Sequence, residues 1–300
     1  MKKLTILGAF LLATLTANAQ DDLMDLFEED STQTQFVQST FKSPRLVLGQ
    51  SVENPKNGSL ILLISHQFGR INSGFYDFWG LENAVTRIGL EYGFNDHFAM
   101  GIGRSTNSKL ADLFIKVKLM RQSSGAKNNP LSISYFANVS SQIIRKSDLI
   151  AQGVYNSRNQ FVQQILIARK FSNAFSFQLS PTYLYRDLVD QSLAENNVFA
   201  LGMGGRLKIT NRTTFNTEYF ILMSDKVSKN YKNTFSMGFD IETGGHVFQL
   251  YLSNAQGLVE QLFIPQTTGD WGDGGVYFGF NITRDFNLKK KKDKMVENGW

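Results

Sequence analysis

Residues 278–286 read Phe278-Gly279-Phe280-Asn281-Ile282-Thr283-Arg284-Asp285-Phe286, apolar and polar side chains alternating, with an aromatic at the end. A period of two puts one set of side chains on each face of a β-strand. The pattern recurs over 59–69, 84–94, 98–105, 110–121, 130–141, 160–171, 175–186, 197–209, 213–223, 233–243, 246–253 and 274–286. Most of these segments reach the length a tilted strand needs to cross a bilayer. Short turns at 95–97, 172–174, 210–212 and 244–245 largely alternate with long connections at 70–83, 142–159, 187–196, 224–232 and 254–273. Even strand number, tight turns at one end and long loops at the other predict an all-β fold, a transmembrane antiparallel up-and-down β-barrel of about twelve strands. Two connections fit this rhythm badly. Residues 106–109 are short for an outer loop and 122–129 are long for an inner turn, which leaves ten and fourteen strands open.

Parity assigns the faces. Phe235, Met237, Phe239 and Ile241 oppose Thr234, Ser236, Gly238, Asp240 and Glu242. Ala111, Leu113, Ile115, Val117 and Leu119 oppose Asp112, Phe114, Lys116 and Lys118. Phe199, Leu201, Met203, Leu207 and Ile209 oppose Gly202, Gly204, Arg206 and Lys208. The apolar sets face lipid, because a charge at mid-membrane on that face costs about 2–4 kcal/mol. Segment 160–171 is ambiguous, since Val162, Leu166 and Ala168 compete with Phe161, Ile165 and Ile167. Aromatics gather at strand ends, as interfacial girdles do: Tyr92, Phe94, Phe98, Phe171, Phe175 and Phe286 at the inner side, and Trp79, Tyr185 and Phe199 at the outer.

The ends of the chain place these strands in a compartment. Lys2 and Lys3, the apolar stretch 4–16 and Ala17-Asn18-Ala19 read as a secretory signal over residues 1–19. Segment 20–58 has no clear alternation; it reads as a periplasmic N-terminal segment or as a plug inside the barrel. The barrel follows over 59–286, then a basic periplasmic tail over 287–300. Asp21 to Asp30 hold six carboxylates. With the lysine-rich tail they give a solvated pair of ends, docking points for a periplasmic partner, or two tails that pair with each other.

Composition then narrows the chemistry. The chain has no Cys, which excludes disulfides, thiolate metal sites and Cys nucleophiles. Formal charge is +5, or +3 once Lys2 and Lys3 are removed, too little to argue for nucleic acid. A mean hydropathy of -0.20 is compatible with a barrel, in which every second strand residue faces lipid.

Inward parity collects both signs of charge: Arg87, Glu91, Asp112, Lys116, Lys118, Arg206, Lys208, Glu218, Asp240 and Glu242, with Arg186 beside them. In a narrow lumen such charges pair or stay hydrated. They form either a salt-bridge network that fills the barrel or a polar pathway selecting a small solute. Catalysis has little to work with. The imidazoles are His66, His97 and His246, and Ser65 and His66, adjacent in a strand, point to opposite faces. We expect no enzyme, no metal and no cofactor. Asp270 to Gly275 reads better as a Gly-rich turn than as a Ca²⁺ loop. The aromatic loop Phe75-Tyr76-Asp77-Phe78-Trp79 folds over the mouth, packs on lipid or offers a platform to a partner.

Ser65-His66-Gln67-Phe68-Gly69, Arg87-Ile88-Gly89-Leu90-Glu91-Tyr92-Gly93, Gly101-Ile102-Gly103-Arg104 and Lys116-Val117-Lys118-Leu119 resemble a Bacteroidota family of outer-membrane β-barrels of unknown function. The resemblance covers most of 41–286. It implies the barrel and the outer membrane, and it brings no catalytic residues. Gln67 stands where the family usually has a basic residue. The expectation is therefore an outer-membrane barrel embedded in lipid and lipopolysaccharide, either a narrow channel or small-solute transporter with a charged lumen, or a non-conducting structural or partner-binding barrel.

Overall fold

The computed structural model describes residues 33–143, 158–187 and 189–289. The predicted signal, the acidic stretch and most of the basic tail lie outside the described residues.

Twelve antiparallel strands close into one barrel: β1 (Ser59–Arg70), β2 (Val85–Gly93), β3 (Phe98–Ser105), β4 (Leu110–Met120), β5 (Ser132–Gln142), β6 (Asn159–Lys170), β7 (Phe175–Arg186), β8 (Asn197–Lys208), β9 (Thr213–Leu222), β10 (Thr234–Thr243), β11 (His246–Ser253) and β12 (Tyr277–Asn287). Each strand pairs with its neighbours in sequence, and β12 closes on β1 through pairs such as Ile282 with Ile64. Closure leaves no unpaired edge, the condition for a sheet to stand in hydrocarbon. Of the counts left open, twelve is the one observed.

The two irregular connections have physical causes. The short one is a single 3₁₀ turn at Asn107–Lys109, with Ser108 and Lys109 in the left-handed region. The long inner turn carries a docking edge: Ser123–Ser124 pairs with Gln35–Phe36, and Val37 N–H donates to Gln122 O. That turn is long because it holds the N-terminal segment.

Outward faces are apolar as parity requires. Ile88, Ile102, Leu113, Phe199 and Phe239 are each about half exposed, the exposure of a surface that meets lipid. Aromatics pair at the rims, with Tyr92 T-shaped on Phe94 at 4.9 Å and Tyr183 against Phe199 at 5.2 Å. In β6 the ambiguity resolves: Phe161 and Ile165 face out, while Val162, Leu166 and Ala168 are buried inside.

The lumen is therefore lined by apolar as well as polar side chains. Phe114, Phe136, Val162, Leu166, Leu184, Val198 and Phe220 form an apolar cluster inside the barrel. They tolerate the interior because two chain segments enter it and cover them. From the short-turn end comes a hairpin over residues 44–51, with Arg45 bridged to Gln50, Leu46 N–H donating to Gly49 O (2.9 Å) and Ser51 N–H donating to Pro44 O (2.9 Å). From the long-loop end comes the β11–β12 connection with its one-turn helix Glu260–Phe263, all four residues buried. Val47, Leu48, Leu258, Phe263 and Ile264 join the same cluster as the wall, so it is a hydrophobic core at mid-lumen. The aromatic loop at 75–79 stays outside it: Phe75 and Tyr76 are 75% and 92% exposed, and Phe75 packs edge-on to Trp79 at 5.6 Å.

Candidate functional site: the closed lumen

Several inward charges of the wall attach to the backbone of residues 39–53, the hairpin and its flanks. Glu218 on β9 accepts N–H donors from Val47 (3.4 Å), Leu48 (3.3 Å) and Gly49 (3.0 Å), a backbone nest around one carboxylate. Lys116 on β4 donates to the Glu53, Ser51 and Pro44 carbonyls at 3.0, 3.2 and 3.5 Å. Arg206 on β8 donates to Ser39 O and Thr40 O, both at 2.8 Å. Neutral groups do the same. Gln178 accepts from Val52 N–H (2.8 Å) and donates to Gln50 O (2.8 Å), Gln249 donates to Leu46 O (3.1 Å), and Asn281 donates to Val47 O (3.0 Å). Asp240 reaches the hairpin indirectly, accepting from Gln249 at 2.9 Å.

The other charges pair. Arg87 donates Nε and Nη2 to the two oxygens of Asp112 at 3.1 and 2.6 Å, a bidentate fork with both partners buried. It lies over Gly103 and Gly89, where an added Cβ would run into its guanidinium. Glu91 pairs with Arg45 of the hairpin at 3.3 Å, and Arg45 also reaches Glu260 of the outer helix at 3.1 Å. Gln50 donates to the same Glu260 oxygen at 3.2 Å. Hairpin, wall and outer loop therefore meet at one arginine, which also stands over the Phe114 ring with Cζ 5.6 Å from its centroid.

Seven of the ten predicted lumen residues, Arg87, Glu91, Asp112, Lys116, Arg206, Glu218 and Asp240, are at most 5% exposed. The interior is closed to solvent at their level. The other three stand at the rim of the lumen. Lys118 lies 3.8 Å from Glu53, Lys208 is half-buried, and Glu242 is exposed and pairs with Lys42. All three fall in the last turns of their strands at the short-turn rim, where the barrel opens. A cavity of about 360 Å³ lies there between hairpin and wall, bordered by Lys42, Glu53, Asn54, Lys118 and Glu242.

Arg45, Gln50 and Glu260 are the site residues that strand parity could not find, because none lies in an alternating segment. The usable signal was composition: an arginine and a glutamate, each within an apolar stretch outside the alternating segments. Around the lumen, the remaining candidates resolve into local structure. His66 faces out, hydrogen-bonded to Thr86 Oγ1 at 2.9 Å and stacked on Phe280 at 5.2 Å, while Ser65 is buried inside. Asp270 accepts from Gly272 N–H (2.8 Å) and pairs with Lys232 (2.9 Å), and these two contacts hold its carboxyl below the usual range. Asp273 accepts from Gly275 N–H (2.8 Å). The 270–275 carboxylates thus cap their own turn, and no three His, Asp or Glu side chains among the described residues gather as a metal site.

A family model described as "Membrane bound beta barrel domain (DUF5777)" matches residues 41–286. A search of curated proteins found no match. Among solved structures, the KdgM porin is similar with a TM-score of 0.48 and 9% identity, covering 76% of this chain and 99% of that one. The NanC porin gives 0.47 and 9%, covering 76% and 98%. An outer membrane channel from Pseudomonas putida F1 gives 0.47 and 10%, covering 78% and 98%.

Proposed function

Because the chain belongs to this family of membrane-bound β-barrel domains and is an outer-membrane barrel, we propose that it is a normally closed channel for small solutes, with residues 39–53 as its gate. The observation that carries the reading is the chemistry of the joint between gate and wall. Lys116, Arg206, Glu218, Gln178, Gln249 and Asn281 hold residues 39–53 through backbone carbonyls and N–H groups. Such bonds exchange for bonds to water at a small net cost of about 0.5–1.5 kcal/mol each, or about 1.5–3 for a charged partner. A hairpin seated by them leaves at the further cost of uncovering Val47 and Leu48, and the wall it exposes carries both signs of charge beside the apolar cluster.

In this reading short turns and gate face the periplasm, residues 1–19 are removed on export, and lipid and lipopolysaccharide surround the apolar belt. The terminal charged stretches offer a periplasmic partner its hold on the gate. The Bacteroidota setting suggested by the sequence motifs belongs to the same reading, which assigns no catalysis.

A second reading has its own support. The buried Arg45 contacts to Glu91 and Glu260 tie gate, wall and outer loop together, which favours a permanently closed scaffold. A disulfide separates the two. Ser43 Oγ lies 3.4 Å from Thr283 Oγ1 on β12, and the chain contains no Cys of its own. The Ser43→Cys/Thr283→Cys double variant is expected to be wholly silent in planar bilayers when oxidised and, when reduced, to show the rare, brief openings of a normally closed channel. Silence in both redox states, in a folded protein, supports the scaffold.

A further inference from the structure

One row of inward side chains near the long-loop end is left unsatisfied. Register aligns Asp112 with Ser140, Ser140 with Gln160, and Gln160 with Arg186, across β4, β5, β6 and β7. Asp112 is taken by Arg87. Its three neighbours are almost wholly buried, Ser140 at 1%, Gln160 at 8% and Arg186 at 3% exposed. Yet Ser140 Oγ, Gln160 Oε1 and Arg186 Nε and Nη2 make no hydrogen bond. Among the described residues no carboxylate pairs with Arg186. An unpaired buried guanidinium costs several kcal/mol, more than the hairpin's own fixings return at any single bond. A fold keeps such a group where something else supplies the anion.

We propose that Arg186, Gln160 and Ser140 form a binding site for a small hydroxy-carboxylate at the outer end of the lumen. The two free guanidinium donors lie on one edge of the fork and match the two oxygens of a carboxylate. Gln160 Oε1 is an acceptor and repels a bare anion. It needs a donor on the ligand, and a hydroxyl next to the carboxylate provides one. Ser140 Oγ gives or takes a further bond. Arg186 ends β7 and Gln160 is the second residue of β6, so the site lies at the long-loop end of the lumen, away from the hairpin. The site exists whether or not the barrel conducts, so its test is binding rather than current.

The experiment is calorimetric titration of the full-length barrel, folded in detergent at constant ionic strength, with sodium lactate, sodium acetate and glycerol. Lactate is expected to bind saturably at one site, acetate more weakly, and glycerol not at all. Arg186→Gln is expected to weaken lactate by about tenfold or more, as loss of a charge-assisted fork requires. Arg186→Lys keeps the charge and is expected to retain part of the affinity; it also serves if Arg186→Gln does not fold. Gln160→Leu is expected to bring lactate down to the level of acetate. Failure of the native barrel to bind either anion saturably would overturn the site. So would Arg186 variants that bind as the native protein does. An unchanged preference for lactate in Gln160→Leu would overturn the assignment of the hydroxyl.

Discussion

Arg45, on the hairpin that enters from the short-turn end, lies 3.1 Å from Glu260, on the helix that enters from the long-loop end. Both side chains are nearly inaccessible, and Glu91 of the wall shares the arginine at 3.3 Å. Two segments more than two hundred residues apart in sequence thus meet inside the barrel through one cation. Arg45→Ala leaves two buried carboxylates without their partner. Breaking a buried pair in this way costs about 3–5 kcal/mol. The variant is expected to lose its heat-modifiable compact band at a lower temperature than the native barrel, and its hairpin to become accessible to protease.

Glu218 tests the nest. Its carboxylate is the acceptor for three consecutive N–H groups at the hairpin tip. Glu218→Ala leaves those donors buried and unpaired, at about 1–3 kcal/mol each where no water replaces it. Glu218→Gln keeps one acceptor oxygen. Protease accessibility of residues 39–53 is expected to rise in the order native, Gln, Ala. Equal protection of all three would mean that the apolar contacts alone hold the hairpin.

Gly204 tests the fit. Its inward face carries Leu46 of the hairpin, and a Cβ built there would overlap the leucine Cδ2. Gly204→Val suits a strand but displaces Leu46, and overpacking of this kind costs about 1–3 kcal/mol. The expected result is an intact barrel, by heat-modifiable migration, with a looser hairpin.

Asp112→Asn probes the wall without touching the hairpin. It removes the charge that the buried Arg87 fork requires. The expected loss is again about 3–5 kcal/mol, read as a lower midpoint of thermal unfolding, with hairpin protection in the folded protein unchanged.

The barrel was legible because lipid imposes a strict rule on every second residue. The lipid face of β10, Phe235 to Ile241, cannot be mistaken, and all twelve strands fall within three residues of the alternating segments. The inward face obeys a weaker rule, since its surroundings are decided by distant parts of the chain. Val162 and Leu166 compete with Phe161 and Ile165 for the lipid face in the sequence because what covers them inside is the outer-loop and hairpin core, not water. Residues 44–51 carry no period, and their hairpin is held by wall side chains instead of a long ladder. Arg45 and Glu260 find each other through tertiary contact alone. The turn at 122–129 breaks the rhythm of short inner turns because it is a binding edge for Gln35–Phe36.

The central claim is that the hairpin closes the lumen, and conductance in planar bilayers tests it most directly. The native barrel is compared with a chain lacking residues 40–53, both shown to be folded by heat-modifiable migration. The account predicts that the native protein is nearly silent and that the deleted chain gives stable, resolved current steps. A deleted chain as silent as the native barrel would contradict it.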